Sequence, residues 1–176
     1  MMKNSIIVLL CTLLTCCANA QHEINDNTFG GVGAGVLAPV GDYKTNFNSG
    51  FQINAEINGR IYKPLWFCFE GAFESLPVNG AVLTTAKPVS TVGGGLGLKL
   101  FLLHFLYVGG SAGVRGVVAG VIPGSDKTTI YYNFGAGLFP LKFLQVFANY
   151  NIWQAETGYP ANNYIVAGVK FSFGRK

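Results

Sequence analysis

The sequence predicts an all-β protein, an eight-stranded antiparallel up-and-down transmembrane β-barrel, and three observations lead to this prediction. Apolar and polar residues alternate through eight segments of about ten residues. Charged residues make up only 11% of the chain, well below the roughly 25% usual in soluble domains. After the first twenty residues, no apolar run reaches the 18 residues that suggest a membrane-spanning helix. An apolar chain without such a helix can cross a membrane as a closed barrel of strands.

Residues 1–20 have the features of a secretory signal peptide. Lys3 provides the positive start, Ile6 to Leu14 form a short apolar core, and Ala18-Asn19-Ala20 is a small-x-small cleavage site. We therefore expect cleavage near Ala20, before Gln21, which leaves a tail over 21–28 and a barrel domain over 29–176. Acylation as a lipoprotein at Cys16 or Cys17 is the alternative form of processing.

Composition of the mature chain excludes several classes of function. Cys68 is the one cysteine left after cleavage, so neither an internal disulfide nor a cysteine-based zinc site can form. Eleven basic and eight acidic residues leave a net charge of +3. Because the basic residues form no cluster, nucleic acid is not predicted as a partner.

The alternation is clearest in "FQINAEIN", residues 51–58. Here Phe51, Ile53, Ala55 and Ile57 alternate with polar residues, so the strand has one apolar and one polar face. Seven further segments repeat this pattern, namely 29–38, 67–75, 91–100, 106–115, 130–139, 144–153 and 164–173. An even number of antiparallel strands permits closure without an open edge.

The second face of the strands is predicted to line the lumen, where an eight-stranded barrel has room only for side chains. Six charged residues belong to this face: Glu56, Glu70, Glu74, Lys99, Arg115 and Lys170. Because an enclosed charge is costly alone and tolerable when paired, we expect a structural network of ion pairs and hydrogen bonds. Glycines on the same face are expected to leave room for these long neighbours.

A spacing of 38 residues divides the chain into four hairpins. "KPLWF", "FLLHF" and "FPLKF" begin at 63, 101 and 139 and are predicted to be tight turns. The last residues of these stretches are Phe67, Phe105 and Phe143, and Phe29 lies one further 38-residue interval before them. The opposite connections, 39–50, 76–88, 120–127 and 154–162, are longer and more polar, as expected for loops on the outer side. Aromatic residues near the turns are expected to form the periplasmic rim at the membrane interface: Tyr62, Trp66, Phe67, Phe101, Phe105, Phe139 and Phe143.

With its signal peptide, eight alternating strands and terminal strand "NYIVAGVKFSFGRK", the chain resembles the eight-stranded outer-membrane barrels of Gram-negative bacteria, such as the OmpA transmembrane domain and OmpX. The resemblance implies location in the outer membrane, with membrane lipid and the barrel-assembly machinery as partners. It also implies that Phe171 and Phe173 act as the C-terminal assembly signal, although Gly174, Arg175 and Lys176 follow them. Members of this group are structural proteins, adhesins, small pores or lipid-modifying enzymes, so the fold does not select an activity.

The sequence shows no arrangement of residues that indicates catalysis. His22 lies in the tail and His104 in a predicted turn, neither of them beside a serine and a carboxylate. "GAGVLA" at 33–38 is followed by Pro39 rather than by the helix that phosphate binding needs. We therefore predict no catalytic, cofactor-binding or metal-binding residues, and no cofactor.

The predicted function is a structural or surface-interaction role in the outer membrane without catalysis, and the extracellular ligand is unknown. A narrow pore for small solutes is one alternative, but the bulky inward residues Tyr107, Tyr131, Phe147 and Trp153 argue against a continuous lumen. An exported soluble barrel that binds a small apolar ligand is another, but it would place its apolar face inside.

Overall fold

The computed structural model describes residues 27–79, 88–120, 128–154 and 162–174. The predicted signal peptide, most of the tail, and much of three long connections lie outside these residues. Eight strands and one short helix are present: β1 (Thr28–Pro39), α1 (Tyr43–Asn46), β2 (Gly50–Tyr62), β3 (Leu65–Leu76), β4 (Val89–Leu103), β5 (Leu106–Ala119), β6 (Thr128–Leu141), β7 (Leu144–Trp153) and β8 (Asn162–Phe173).

The strands form one closed antiparallel barrel in which each strand pairs with its neighbours in the chain. The barrel closes where β1 pairs with β8, from Gly30 opposite Phe173 to Pro39 opposite Tyr164. The predicted all-β, eight-stranded, up-and-down architecture is therefore confirmed. No helix among the described residues is long and apolar enough to span a membrane.

The two faces of the sheet differ as the alternation predicted. In β2, Phe51, Ile53 and Ile57 are about half exposed (49%, 50% and 53%), whereas Gln52 and Glu56 are buried. Large apolar side chains point outward from every strand, among them Val36, Ile53, Phe69, Leu96, Val114, Phe134, Tyr150 and Val169. Polar and charged side chains are enclosed, so this barrel is apolar outside and polar inside.

Two-residue turns join the strands at one end, at 63–64, 104–105 and 142–143. We call this end the turn side and the opposite end the loop side. The 38-residue spacing matches these turns only in part. Phe105 and Phe143 each occupy the second turn position, whereas Phe67 is the third residue of β3. The first turn is therefore reached three residues earlier than strict repetition would require.

Phe29 and Trp66 lie at the turn side but face the interior. Phe29 is 2% exposed, and its ring centroid lies 5.3 Å from that of the partly buried Trp66. The expectation that Trp66 belongs to the interfacial rim was wrong, because Trp66 has the inward parity of its strand and lies on the same face of β3 as Cys68 and Glu70. The expected rim residues Phe101 and Phe139 also pack in this interior cluster.

Glycines on the inner face make room for the long side chains beside them. A Cβ atom on Gly93 would meet Arg115, one on Gly95 would lie 2.6 Å from the Tyr131 hydroxyl, and one on Gly137 would overlap the Tyr107 ring. The expected pairing of inward glycines with long neighbours is confirmed.

We predict that Gly95→Ala destabilises the barrel, because its new methyl group would press on Tyr131 and on the Ala112 carbonyl at 2.7 Å. The expected loss in free energy of unfolding is about 1–3 kcal/mol, as for other overpacked interiors. Urea unfolding in lipid vesicles measures it. Gly31→Ala is the matched control, since a Cβ there has no neighbour closer than 3.5 Å; equal stability of the two variants would contradict the prediction.

Candidate functional site: the filled lumen

The lower part of the lumen, towards the turn side, contains an ion triad on Glu56. Lys99 Nζ lies 2.6 Å from Glu56 Oε1, and Lys170 Nζ pairs with Glu56 Oε2. Asn58 Nδ2 also donates to Oε1, at 3.0 Å. The carboxylate and both ammonium groups are buried, and the triad joins β2, β4 and β8 across the interior.

A second group surrounds Glu74 nearer the loop side. Arg115 Nη1 lies 2.6 Å from Glu74 Oε2, Gln52 Nε2 donates to Oε1 at 2.6 Å, and the Tyr164 hydroxyl donates at 2.9 Å. The Arg115 guanidinium also lies 4.3 Å from the centre of the Tyr131 ring and 5.4 Å from that of Trp153. This cation therefore has both a charged partner and aromatic faces around it.

Glu70 differs from the other two carboxylates, because no cation pairs with it among the described residues. Its Oε1 instead accepts hydrogen bonds from Asn133 Nδ2 at 2.5 Å, the Tyr131 hydroxyl at 3.0 Å and Ser111 Oγ. All six predicted charges face the interior, but the three cations are distributed unevenly over the three carboxylates. Among the described residues, Glu56 pairs with two cations, Glu74 with one and Glu70 with none.

Above these charges, an apolar cluster closes the loop side. Tyr43 in α1 and Phe47 just after it reach into the mouth and pack with Leu37, Leu76 and Trp153, each at most 2% exposed. Burial, together with the nearby Glu74 carboxylate, raises the pKa of the Tyr43 hydroxyl well above its usual range. We call Tyr43 and Phe47 the loop-side cap; the alternation of the strands carries no signal for it.

On the turn side, Phe29, Tyr107 and Phe139 form a buried layer with Trp66 and Phe101 against it. Among the charges, next to Tyr107 of this layer, is a cavity of about 20 Å³ lined by Glu56, Glu70 and Lys99, with room for about one water molecule. Outside the layer, the turns surround a wider depression of about 840 Å³, which we call the bowl.

The ion network and the two apolar layers of the lumen are suited to stabilising the closed barrel. The charges are enclosed between aromatic layers at both ends, and the cavity of about 20 Å³ beside them has room for about one water molecule. Ser111 bonds to Glu70, while His104 lies in a turn outside the aromatic layer. The described residues include no group of three potential metal ligands among His, Cys, Asp and Glu.

The remaining predicted rim residues lie outside the barrel. Tyr62, Phe67, Phe105 and Phe143 are between 41% and 62% exposed. Phe171 is 59% exposed, and the Phe173 ring covers Gly30 at the seam between β1 and β8. Phe171 and Phe173 therefore lie at the outer surface of the terminal strand, near the closing seam.

Comparisons with known proteins identify the fold. No family model and no curated protein matches the chain. Solved structures of Ail, the attachment invasion locus protein of Yersinia pestis, do match it. Ail in complex with the heparin analogue sucrose octasulfate has a TM-score of 0.59 at 11% identity, over 84% of this chain and 98% of Ail. Ail in a phospholipid bilayer nanodisc has a TM-score of 0.55 at 12% identity, over 84% and 99%.

These likenesses concern architecture, because the identities are low. Ail is an eight-stranded outer-membrane β-barrel. The chain described here therefore has the fold of the eight-stranded outer-membrane barrels, and the expected resemblance is confirmed at that level.

We predict that Glu74→Gln lowers the free energy of unfolding by about 3–5 kcal/mol, because it leaves the buried Arg115 without an anion. Urea unfolding in vesicles measures the loss. Glu70→Gln is the matched control, since Glu70 has no described cationic partner and its loss should be nearer 1–2 kcal/mol. A Glu74→Gln/Arg115→Gln double variant should recover part of the stability; a double variant less stable than Glu74→Gln alone would argue against this account.

Proposed function

We propose that the chain is an integral outer-membrane protein with a structural or surface-interaction role and without catalytic activity. The observation that carries the proposal is the distribution of side chains, which is the reverse of that in a typical soluble protein, with apolar residues outside and charged residues inside. Large apolar side chains cover the outside of all eight strands, while Glu56, Glu74, Lys99, Arg115 and Lys170 are buried inside. Lipid hydrocarbon is the surrounding that such an outer surface fits.

The ends of the barrel support this placement. Tyr62, Phe105 and Phe143 project near the turns, where aromatic side chains favour the interface between lipid and water. In this proposal the turn side faces the periplasm and the loop side faces outward. Export through cleavage near Ala20 and recognition of Phe171 and Phe173 by the barrel-assembly machinery belong to the same proposal.

A surface-interaction role is supported by the rigidity of the scaffold beneath the loops. Loops on a rigid framework are where binding usually occurs, and the loop-side cap fixes the base of the first long connection. The likeness to Ail adds that a barrel of this fold can hold a ligand, since Ail has been solved with a heparin analogue.

A narrow pore is the less favoured function, because the described lumen is occupied along its length. Tyr107, Tyr131, Phe147 and Trp153 are all at most 4% exposed, and the charges between them are paired or hydrogen-bonded. A soluble barrel that binds an apolar ligand is also disfavoured, since the interior is polar and the apolar surface lies outside.

We expect the protein to fractionate with outer membranes and to migrate faster on a denaturing gel before boiling than after it. The closed barrel resists detergent when cold, because breaking it requires the loss of a complete ring of strand pairs. A protein recovered in the soluble periplasm that shows no shift on boiling would overturn the membrane proposal.

We further expect no stepwise conductance when the purified barrel is inserted into planar lipid bilayers. The aromatic layers and the ion network leave no water-filled path through the described lumen. The measurement is single-channel current, with insertion verified by protease protection of the reconstituted barrel. Reproducible unit steps from folded protein would favour the pore instead.

A further inference from the structure

We propose that the bowl on the turn side is a binding site for an anionic single-chain lipid, such as a lysophospholipid. The bowl has a volume of about 840 Å³ and is bounded by all three two-residue turns and by the ends of β1 and β8. This volume lies within the roughly 300–1,000 Å³ of typical small-molecule sites.

The walls of the bowl are apolar and aromatic. Its floor is the turn-side aromatic layer, on which the half-buried Trp66 lies, and its walls include Leu102, Leu103, Leu141 and Pro140. Leu102, Leu103 and Leu141 are each at least half exposed (54%, 51% and 50%). Such a lining favours a hydrocarbon chain over a sugar, a nucleotide or a free phosphate ion.

The rim of the bowl is cationic. Arg60, Lys63 and Lys142 line it, and no Asp or Glu does so among the described residues. Neither Lys63 nor Lys142 forms an ion pair with any described residue, and both are exposed. The four described carboxylates lie elsewhere, three of them in the lumen and Asp42 on the loop side.

Arg60 is held in position at this rim. Its Nη2 donates to the side chain of Asn27, and its guanidinium lies 5.8 Å from the centre of the Trp66 ring. It therefore links the charged rim to the aromatic floor. An anionic head that binds to Arg60, Lys63 and Lys142 would direct an attached chain towards Trp66.

Charge and shape together select an amphipathic anion with one chain. A carboxylate or phosphate head complements the three cations, and an acyl chain gains about 0.8 kcal/mol for each CH₂ group that it buries. Under the proposed orientation, the bowl opens at the phospholipid surface of the periplasmic leaflet. A lipid that leaves this leaflet would reach the bowl without crossing much water.

Fluorescence quenching tests this site, because Trp66 and Trp153 are the two tryptophans of the chain. A Trp153→Phe variant in nanodiscs leaves Trp66 as the one reporter, and lysophosphatidylglycerol brominated on its acyl chain is the quencher. We expect saturable quenching by this lipid and only weak, linear quenching by brominated monoacylglycerol, which has no charge. Folding of each variant is checked by its mobility shift on boiling; if Trp153→Phe fails to fold, the unmodified protein is titrated, since Trp153 is fully buried at the opposite end.

Removing the two free cations tests the role of charge. Lys63→Gln/Lys142→Gln should weaken the apparent affinity about tenfold, the effect of losing two exposed ion pairs with the lipid head. Lys44→Gln is the matched control, because Lys44 is an exposed cation on the loop side, and it should leave the titration unchanged.

Three results would overturn the proposal. Equal quenching by the neutral lipid would show that the bowl does not select an anion. An unchanged affinity of Lys63→Gln/Lys142→Gln would remove the cations from the site. Residues 21–26 carry Glu23 and Asp26. If saturable quenching occurs only after these residues are deleted, this segment, rather than a lipid, is the occupant of the bowl. None of these results depends on whether the loop side has a surface partner.

Discussion

The pairing of β1 with β8 is the constraint on which the rest of the structure depends. Inside a lipid bilayer, no water is available to satisfy unpaired backbone groups, so a sheet is tolerated there only when it has no edge. The seam from Gly30 opposite Phe173 to Pro39 opposite Tyr164 removes the last edge. Once eight strands have closed in this way, the diameter of the barrel is set, and the space inside must be filled by side chains.

The contents of the lumen follow from that fixed diameter. Long side chains such as Arg115 and Tyr131 fit only because Gly93 and Gly95 leave space beside them. The charges, once enclosed, lose the solvation of water and require partners within the same narrow space. Glu56 binds two lysines, Glu74 binds one arginine among aromatic rings, and Glu70 is satisfied by neutral donors. The same side chains must therefore both fill this interior and neutralise one another's charges.

The sequence predicts the strands and their faces well, because alternation is a local property of neighbouring residues. It also identifies the six interior charges by their parity. Their partners could not be predicted, since Glu56 meets Lys99 and Lys170 across the lumen according to the stagger of the strands. Trp66 was assigned to the rim because it lies close to a turn, although its parity in β3 indicates that it faces inward. The loop-side cap was missed because Tyr43 and Phe47 lie in a connection, where no periodic pattern indicates burial.

The loop-side cap has a consequence for how this protein can evolve. The surface connections of an exported barrel are the parts that can usually change without harm to the scaffold. The first connection departs from this rule, because Tyr43 and Phe47 are each only 2% exposed. Phe47 also forms an isolated β-bridge with Val78 in the next loop-side connection. Substitutions at these two positions act on the interior. If the loop side faces outward, as proposed, natural variants that escape recognition by an external agent are expected to conserve the bulk of these two residues and to diversify the exposed positions around them, such as Lys44 and Thr45.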